Sequence, residues 1–232
     1  MKKQQSGFTL VEIAIVLVII GLLLGGVLKG QELINSAKVK NFANDFRNIP
    51  LFIYGYQDKY RAIPGDDAAA DIHVTGATKA TTPATTTVGN GVINGFWNST
   101  TDTDESYLFW QHIRLAGLAS GPTSTTDSTY IPKNAEGGVI GIESGLAGYI
   151  GATAAATGPP AVAATAALGG SYVVCSAGIL GKFAKQLDTT MDDGVTNTGS
   201  MRIVAAGHTR GNGALAQSAV LNDQSYTVCM AM

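Results

Sequence analysis

Hydrophobic positions are distributed along this chain in three ways: continuous, periodic and scattered in short groups. From Phe8 to Leu28 they form a nearly unbroken run of 21 residues in which Glu12 is the only charge. Further on, Phe46, Ile49, Ile53, Tyr56 and Tyr60 recur at spacings of 3, 4, 3 and 4. That spacing marks one face of an amphipathic helix. Leu33, Ala37 and Phe42 lead into the stripe less regularly. The two patterns predict a single helix from near Phe8 to near Tyr60, about 75–80 Å long. Pro50 falls inside it and removes one helix hydrogen bond, yet the stripe keeps its phase on both sides. One bent helix is expected, not two.

After Tyr60 the pattern breaks into short groups. Ala62-Ile63-Pro64-Gly65-Asp66-Asp67 ends the helix in a turn and offers an N-cap to whatever follows. The two acids suit a turn better than a metal. Val74 to Thr103 is rich in Thr, Ala and Gly and reads as an exposed loop. Glu105 to Leu118 predicts a short helix, with Leu108, Phe109, His112, Leu115 and Ala116 on one face and Trp110 and His112 as packing residues. Gly145 to Gly170 is an Ala/Gly-rich stretch containing Pro159-Pro160, with the character of a loop insertion. Tyr172 to Cys175 reads as a strand, and Ile179 to Met191 as an amphipathic helix with Ser176 as its N-cap. Met201–Ala205 and Tyr226–Met230 are two further strand candidates.

Composition changes this picture in two respects. Charged residues are only 14% of the chain, below the roughly 25% of ordinary soluble domains, and Gly contributes 29 of 232 residues. This is the make-up of secreted or surface material. The formal net charge of −2 leaves no electrostatic footprint for nucleic acid. The two cysteines, Cys175 and Cys229, form one disulfide or remain two buried thiols. Export of everything beyond the apolar run favours the disulfide.

The apolar run admits three readings. A cleaved secretory signal needs a shorter core, and Gly25-Gly26-Val27 makes a poor cleavage site. A plain membrane anchor fits the length, with Lys2 and Lys3 holding the N-terminus in the cytoplasm. It leaves Glu12 unexplained, since a carboxylate in a bilayer helix costs roughly 2.5–3.5 kcal/mol at the centre. The third reading accounts for it. Gly7-Phe8-Thr9-Leu10-Val11-Glu12 resembles the processing motif of type IV prepilins and of the related pseudopilins of type II secretion.

The resemblance implies a type IV pilin-like α+β fold, a long N-terminal helix packed on an antiparallel β-sheet. It implies a leader peptide over residues 1–7, a membrane or filament-core helix over 8–28, its amphipathic continuation over 29–62, and a globular periplasmic or extracellular domain over 63–232. Prepilin peptidase would cut after Gly7 and N-methylate Phe8. In a filament of like subunits, Glu12 would then pair with the Phe8 amine of a neighbour, so that the carboxylate is satisfied only on assembly and selects register. The implied function is a structural subunit of a type IV pilus, with a motor ATPase and an inner-membrane platform as further partners. A pseudopilin of type II secretion or DNA uptake shares the same N-terminus. A membrane-anchored periplasmic binding protein or enzyme would instead keep Lys2 and build no filament. Many pilins carry a proline where this chain has Lys29-Gly30. In pilins a comparable disulfide often closes the C-terminal region.

Catalytic chemistry finds little footing. His73, His112 and His208 lack metal-ligand spacing, and no nucleophile motif is present. Gly178-Ile179-Leu180-Gly181-Lys182 is too short for a phosphate loop, and Gly207 to Gly213 is a flexible loop signal. No cofactor is required. Asp188, Asp192 and Asp193, at the end of a predicted helix, read first as a solvated helix end closed by Gly194 and only second as calcium ligands, since the ligand spacing of an EF-hand is missing.

Overall fold

The structure is a computed structural model that describes residues 9–82, 88–145, 168–208 and 213–232. It divides into two units, Met1–Lys38 and Val39–Met232. One helix, α1 (Leu10–Tyr60), is continuous across the predicted span, and Pro50 does not end it.

In the first unit every residue from Leu10 to Lys29 is exposed. The side chains are apolar on all sides, the pattern of a helix made for lipid or for a protein interior. Beyond them, Lys29 and Glu32 form an exposed ion pair at 2.7 Å.

The second unit begins where the stripe takes over. Val39, Phe42, Phe46, Ile49, Ile53 and Tyr56 of α1 are buried, which extends the predicted face by two turns toward the N-terminus. There follow α2 (Ala70–His73), α3 (Glu105–Leu115), β1 (Ile140–Ser144), β2 (Tyr172–Leu180), α4 (Gly181–Met191), β3 (Met201–Ala205) and β4 (Ser225–Ala231). The strands form one antiparallel sheet in the order β1-β2-β4-β3. The α+β class predicted from the sequence is thus the class observed.

Alternation along the strands divides the core between two faces. On one face Ile142, Val174, Val228 and Ile203 cluster with Phe42 and Phe46 of α1 and Phe183 and Leu187 of α4. On the other, Val173, Cys175, Cys229 and Val204 cluster with Trp97. Truncating a buried Phe such as Phe42 or Phe46 to Ala costs about 3–5 kcal/mol, so the α1 stripe is a major anchor of the domain.

Several expectations need correction. Ser176 does not cap a helix: it pairs with Val228 inside β2. The strand continues to Leu180 through a one-residue bulge between Ser176 and Ile179. Gly178 supplies the left-handed residue there, at φ +71°, as bulges of this kind require. The helix therefore starts at Gly181, and its N-cap Leu180 makes no side-chain cap. The predicted helix ending at Leu118 stops at Leu115. The strand β1 was not foreseen.

Residues 74–103 are not simply an exposed loop. Ala80, Ile93 and Trp97 within them are buried. The Trp97 N–H donates to the buried Glu143 carboxylate at 2.6 Å, and the Ile93 N–H donates to Ser144 Oγ at 2.6 Å. Opposite Trp97 stands Gly141, where a Cβ would lie 1.7 Å from the Trp97 carbonyl oxygen. The stretch has little regular structure but covers the sheet edge through its backbone. Most of the insertion from Gly145 to Gly170 lies outside the described residues.

Candidate functional site

The N-terminal site is built on the first turn of α1. Its helical residues begin at Leu10, so Thr9 stands just before the helix and Glu12 three residues after Thr9. The Glu12 N–H donates to Thr9 Oγ1 at 3.2 Å. In return Glu12 Oε2 accepts the Thr9 N–H and the Thr9 hydroxyl, each at 2.8 Å. This is the reciprocal capping box of the S/T-x-x-E type, which satisfies helix N–H groups that have no partner within the helix. The carboxylate also faces the positive end of the helix dipole.

The geometry corrects one expectation. Glu12 does not wait for assembly to find a partner, because its own chain provides two donors. The penalty for placing it near hydrocarbon is correspondingly smaller. Gly7 and Phe8, the expected cleavage and methylation positions, lie outside the described residues.

From this turn the helix continues as a span long and apolar enough to cross a membrane, with a mean hydropathy of 2.8 over its most apolar window and none of that window buried. A family model for the prokaryotic N-terminal methylation motif matches residues 2–28. The chain carries a type IV prepilin-like signature. No curated protein and no solved structure matches it. The prepilin-like signature supports a type IV pilin- or pseudopilin-like protein and points to a structural role. It implies processing by prepilin peptidase and assembly into filaments, and with the apolar helix it fits membrane anchoring before assembly.

Away from the signature, Cys175 and Cys229 form a disulfide between directly paired residues of β2 and β4. Both are fully buried.

The three candidate calcium ligands are brought together where α4 ends. Each of Asp188, Asp192 and Asp193 offers a carboxylate oxygen, all within 4.8 Å of one another. Asp192 accepts the Met201 N–H at 2.8 Å and the Ser200 hydroxyl at 3.2 Å. Asp193 accepts the Val195 N–H at 2.9 Å and the Thr198 hydroxyl. Those bonds hold Asp193 below the usual carboxylate range. Burial, reinforced by the charges of Asp193 and Asp192, pushes Asp188 up to about 7.

A second polar network was missed by sequence reasoning. Asp66 accepts backbone N–H groups from Gly89, Asn90 and Gly91, the last at 2.7 Å. Asp67 Oδ2 receives the Tyr56 hydroxyl and meets His73 Nδ1, both at 2.8 Å. The buried ring of His112 accepts the Gly65 N–H at Nδ1 and meets the Thr78 carbonyl at Nε2, 2.9 and 2.8 Å away. Burial lowers the His112 pKa, and the pairing fits a neutral ring. The signal was the Pro64-Gly65-Asp66-Asp67 turn, in which Asp66 anchors the distant Gly89–Gly91 segment and Asp67 ties Tyr56, Ala69 and His73 together. The N-cap of α2 is Ala69. His208 is also buried.

Proposed function

We propose that the chain is a structural subunit of a type IV pilus or a related filament. Prepilin peptidase removes residues 1–7 and methylates Phe8, and the helix from Phe8 to Leu28 carries the subunit from the inner membrane into the polymer. The observation that carries this reading is the matched methylation motif running into a fully exposed apolar helix whose one charge, Glu12, sits in its first turn.

Assembly energy comes from burying the exposed side chains against equivalent helices of neighbours. Leu10, Leu22 and Leu28 alone are 90%, 73% and 66% exposed, and burying a Leu side chain contributes about 1.5–3 kcal/mol relative to leaving it in water. In lipid the gain is smaller, because tails already solvate these groups, and close packing and charge pairing take a larger share. Cutting after Gly7 creates a cation four residues before Glu12. The carboxylate keeps its Thr9 donors and adds the neighbour's Phe8 amine, so the local cap orients it and the added pair selects register. The motor ATPase and platform protein are the further partners of such an assembly.

N-terminal mass spectrometry of the mature protein tests this. A chain starting at methylated Phe8 is expected. A chain starting at Met1, or after Gly26, overturns it. A pseudopilus of type II secretion or DNA uptake uses the same segment, and the location of the polymer, outside the cell or within the periplasm, separates the two.

A further inference from the structure

Between the second half of α1 and α3 the domain holds a cleft of about 150 Å³. Ile49 and Phe52 of α1, Trp110 of α3 and Ile140 of β1 supply its apolar wall, and Asp45 and Arg114 its charge. All of them belong to the second unit. Nothing in the filament function calls for such a cleft.

Arg114 is 8% exposed. Its Nη1 donates to the Pro122 and Tyr130 carbonyl oxygens at 2.9 and 2.6 Å, whereas Nε finds no hydrogen-bond partner among the described residues. The guanidinium lies over the Trp110 and Tyr130 rings, 5.8 and 5.2 Å from their centroids. Gly121 closes against it, since a Cβ there would come within 2.6 Å of Nε. The group is therefore fixed in place before any ligand arrives. Burial disfavours its charge, and no acid among the described residues offsets that cost. Asp45, half-buried on α1 four residues before Ile49, is the mirror case. Burial pushes its pKa up to about 6, and no cation among the described residues opposes the shift.

We propose that this cleft binds a small zwitterion of the amino-acid class, with its carboxylate on Arg114, its ammonium group on Asp45 and its apolar part against Ile49, Phe52 and Trp110. The charges decide the class. A neutral ligand leaves both walls unpaired, an anion is repelled by Asp45, and a cation is repelled by Arg114. A molecule carrying both charges satisfies each wall at once.

Size narrows it further. A cavity of this volume takes up benzene, so roughly six to eight non-hydrogen atoms fit, the size of an aliphatic amino acid and well short of a nucleotide. Guanidinium is suited to the task, because its hydrogen bonds to carboxylate are charge-assisted and stronger than neutral ones. A ligand held between Asp45 of α1 and Arg114 of α3 bridges the two helices, so occupancy should stabilise the second unit. This inference goes beyond the filament reading and does not depend on it.

The test titrates L-valine, L-leucine and γ-aminobutyrate into the full chain, dialysed in detergent micelles, with calorimetry and thermal unfolding as readouts. Saturable binding of at least one is expected, with Tm rising by roughly 5–10 °C at a concentration about a hundredfold above Kd. The tightest of the three is then compared with analogues lacking only its amine or only its carboxylate, each of which should bind roughly tenfold more weakly or worse. Asp45→Asn has no hydrogen bond to lose and should fold normally. It should weaken the amino acid by roughly tenfold or more, while the amine-free analogue binds as tightly as before or more so. Because Arg114 also holds the Pro122 and Tyr130 carbonyls, its part is read from the carboxylate-free analogue and not from its replacement. Three results each overturn the proposal: no saturable binding of any of the three probes, either analogue binding as tightly as its parent, or unchanged amino-acid affinity in Asp45→Asn.

Discussion

Thr9 donates both its backbone N–H and its hydroxyl to a single oxygen of Glu12, each over 2.8 Å. The two residues therefore have separable tasks. Thr9 holds the helix start, whereas Glu12 holds the helix start and, in the proposed filament, offers its second oxygen to another subunit. We predict that Thr9→Ala frays the first turn at a cost of about 1 kcal/mol, detectable as faster amide exchange at residues 10–13 in micelles. Filaments should still form, since the carboxylate remains. Glu12→Ala should insert into the membrane normally yet fail to assemble. Equal polymer yield from Glu12→Ala and the wild type would remove the intersubunit role.

The disulfide predicts a different response. Cys175 and Cys229 are separated by 54 residues and join adjacent strands. Removing the bridge returns loop entropy to the unfolded chain, worth about 4 kcal/mol in the chain-entropy model. The double replacement Cys175→Ala with Cys229→Ala should lower the denaturant midpoint by a corresponding amount. Because the bridge lies within the second unit, chemical reduction should destabilise that unit and leave the helicity of residues 10–38 unchanged by circular dichroism of labelled segments. A midpoint unchanged by the double replacement would show that strand pairing alone holds β2 to β4.

How much of this could be read beforehand depends on whether the signal was local. The stripe Phe46-Ile49-Ile53-Tyr56 reports one helix face directly, and α1 follows it closely. The strands β3 and β4 fall near their predicted ranges for the same reason. By contrast β1 is five residues long and includes Gly141, which is glycine because the Trp97 backbone crosses it. No periodicity within Ile140–Ser144 can report a neighbour more than forty residues away in sequence. Ser176 was misassigned because it resembles an N-cap by composition, whereas the bulge at Gly178 extends the strand past it. At the N-terminus, Thr9-Leu10-Val11-Glu12 is a legible capping box.

Glu105 predicts an inverted pH response. It is fully buried, Oε1 has no hydrogen-bond partner, and Oε2 accepts the Asn94 backbone N–H at 2.7 Å. Burial pushes its pKa from 4.5 up to about 7, with Asp66 and Asp104 adding repulsion and the Asn94 bonds opposing it. A carboxyl raised in the folded state binds a proton that the unfolded chain has already released. Its contribution is fully present below about pH 4.5 and is lost as pH rises through about 7. Asp188, pushed up to about 7 by burial and by the charges of Asp193 and Asp192, acts in the same direction. Thermal unfolding should therefore give a lower Tm at pH 8 than at pH 6, and Glu105→Gln should reduce the difference. A Tm that rises across this interval in the wild type would contradict the assignment.

Two glycines separate packing from helix propensity. At Gly141 a Cβ would stand 1.7 Å from the Trp97 carbonyl oxygen, a backbone atom that cannot rotate away. Gly141→Ala must displace the covering segment from β1, at the upper end of the roughly 1–3 kcal/mol expected for overpacking. It also threatens the Trp97 N–H bond to the buried Glu143 carboxylate. At Gly21 a Cβ meets nothing within 4 Å, so Gly21→Ala should strengthen the isolated helix by about 1 kcal/mol. In the filament the same methyl group would enter the space between packed helices. The expected pattern is thus a lower Tm for Gly141→Ala, and for Gly21→Ala an unchanged domain Tm with altered polymer yield. If Gly21→Ala assembles as well as the wild type, close approach at that position is not part of the filament, and the glycine there answers to nothing beyond its own helix.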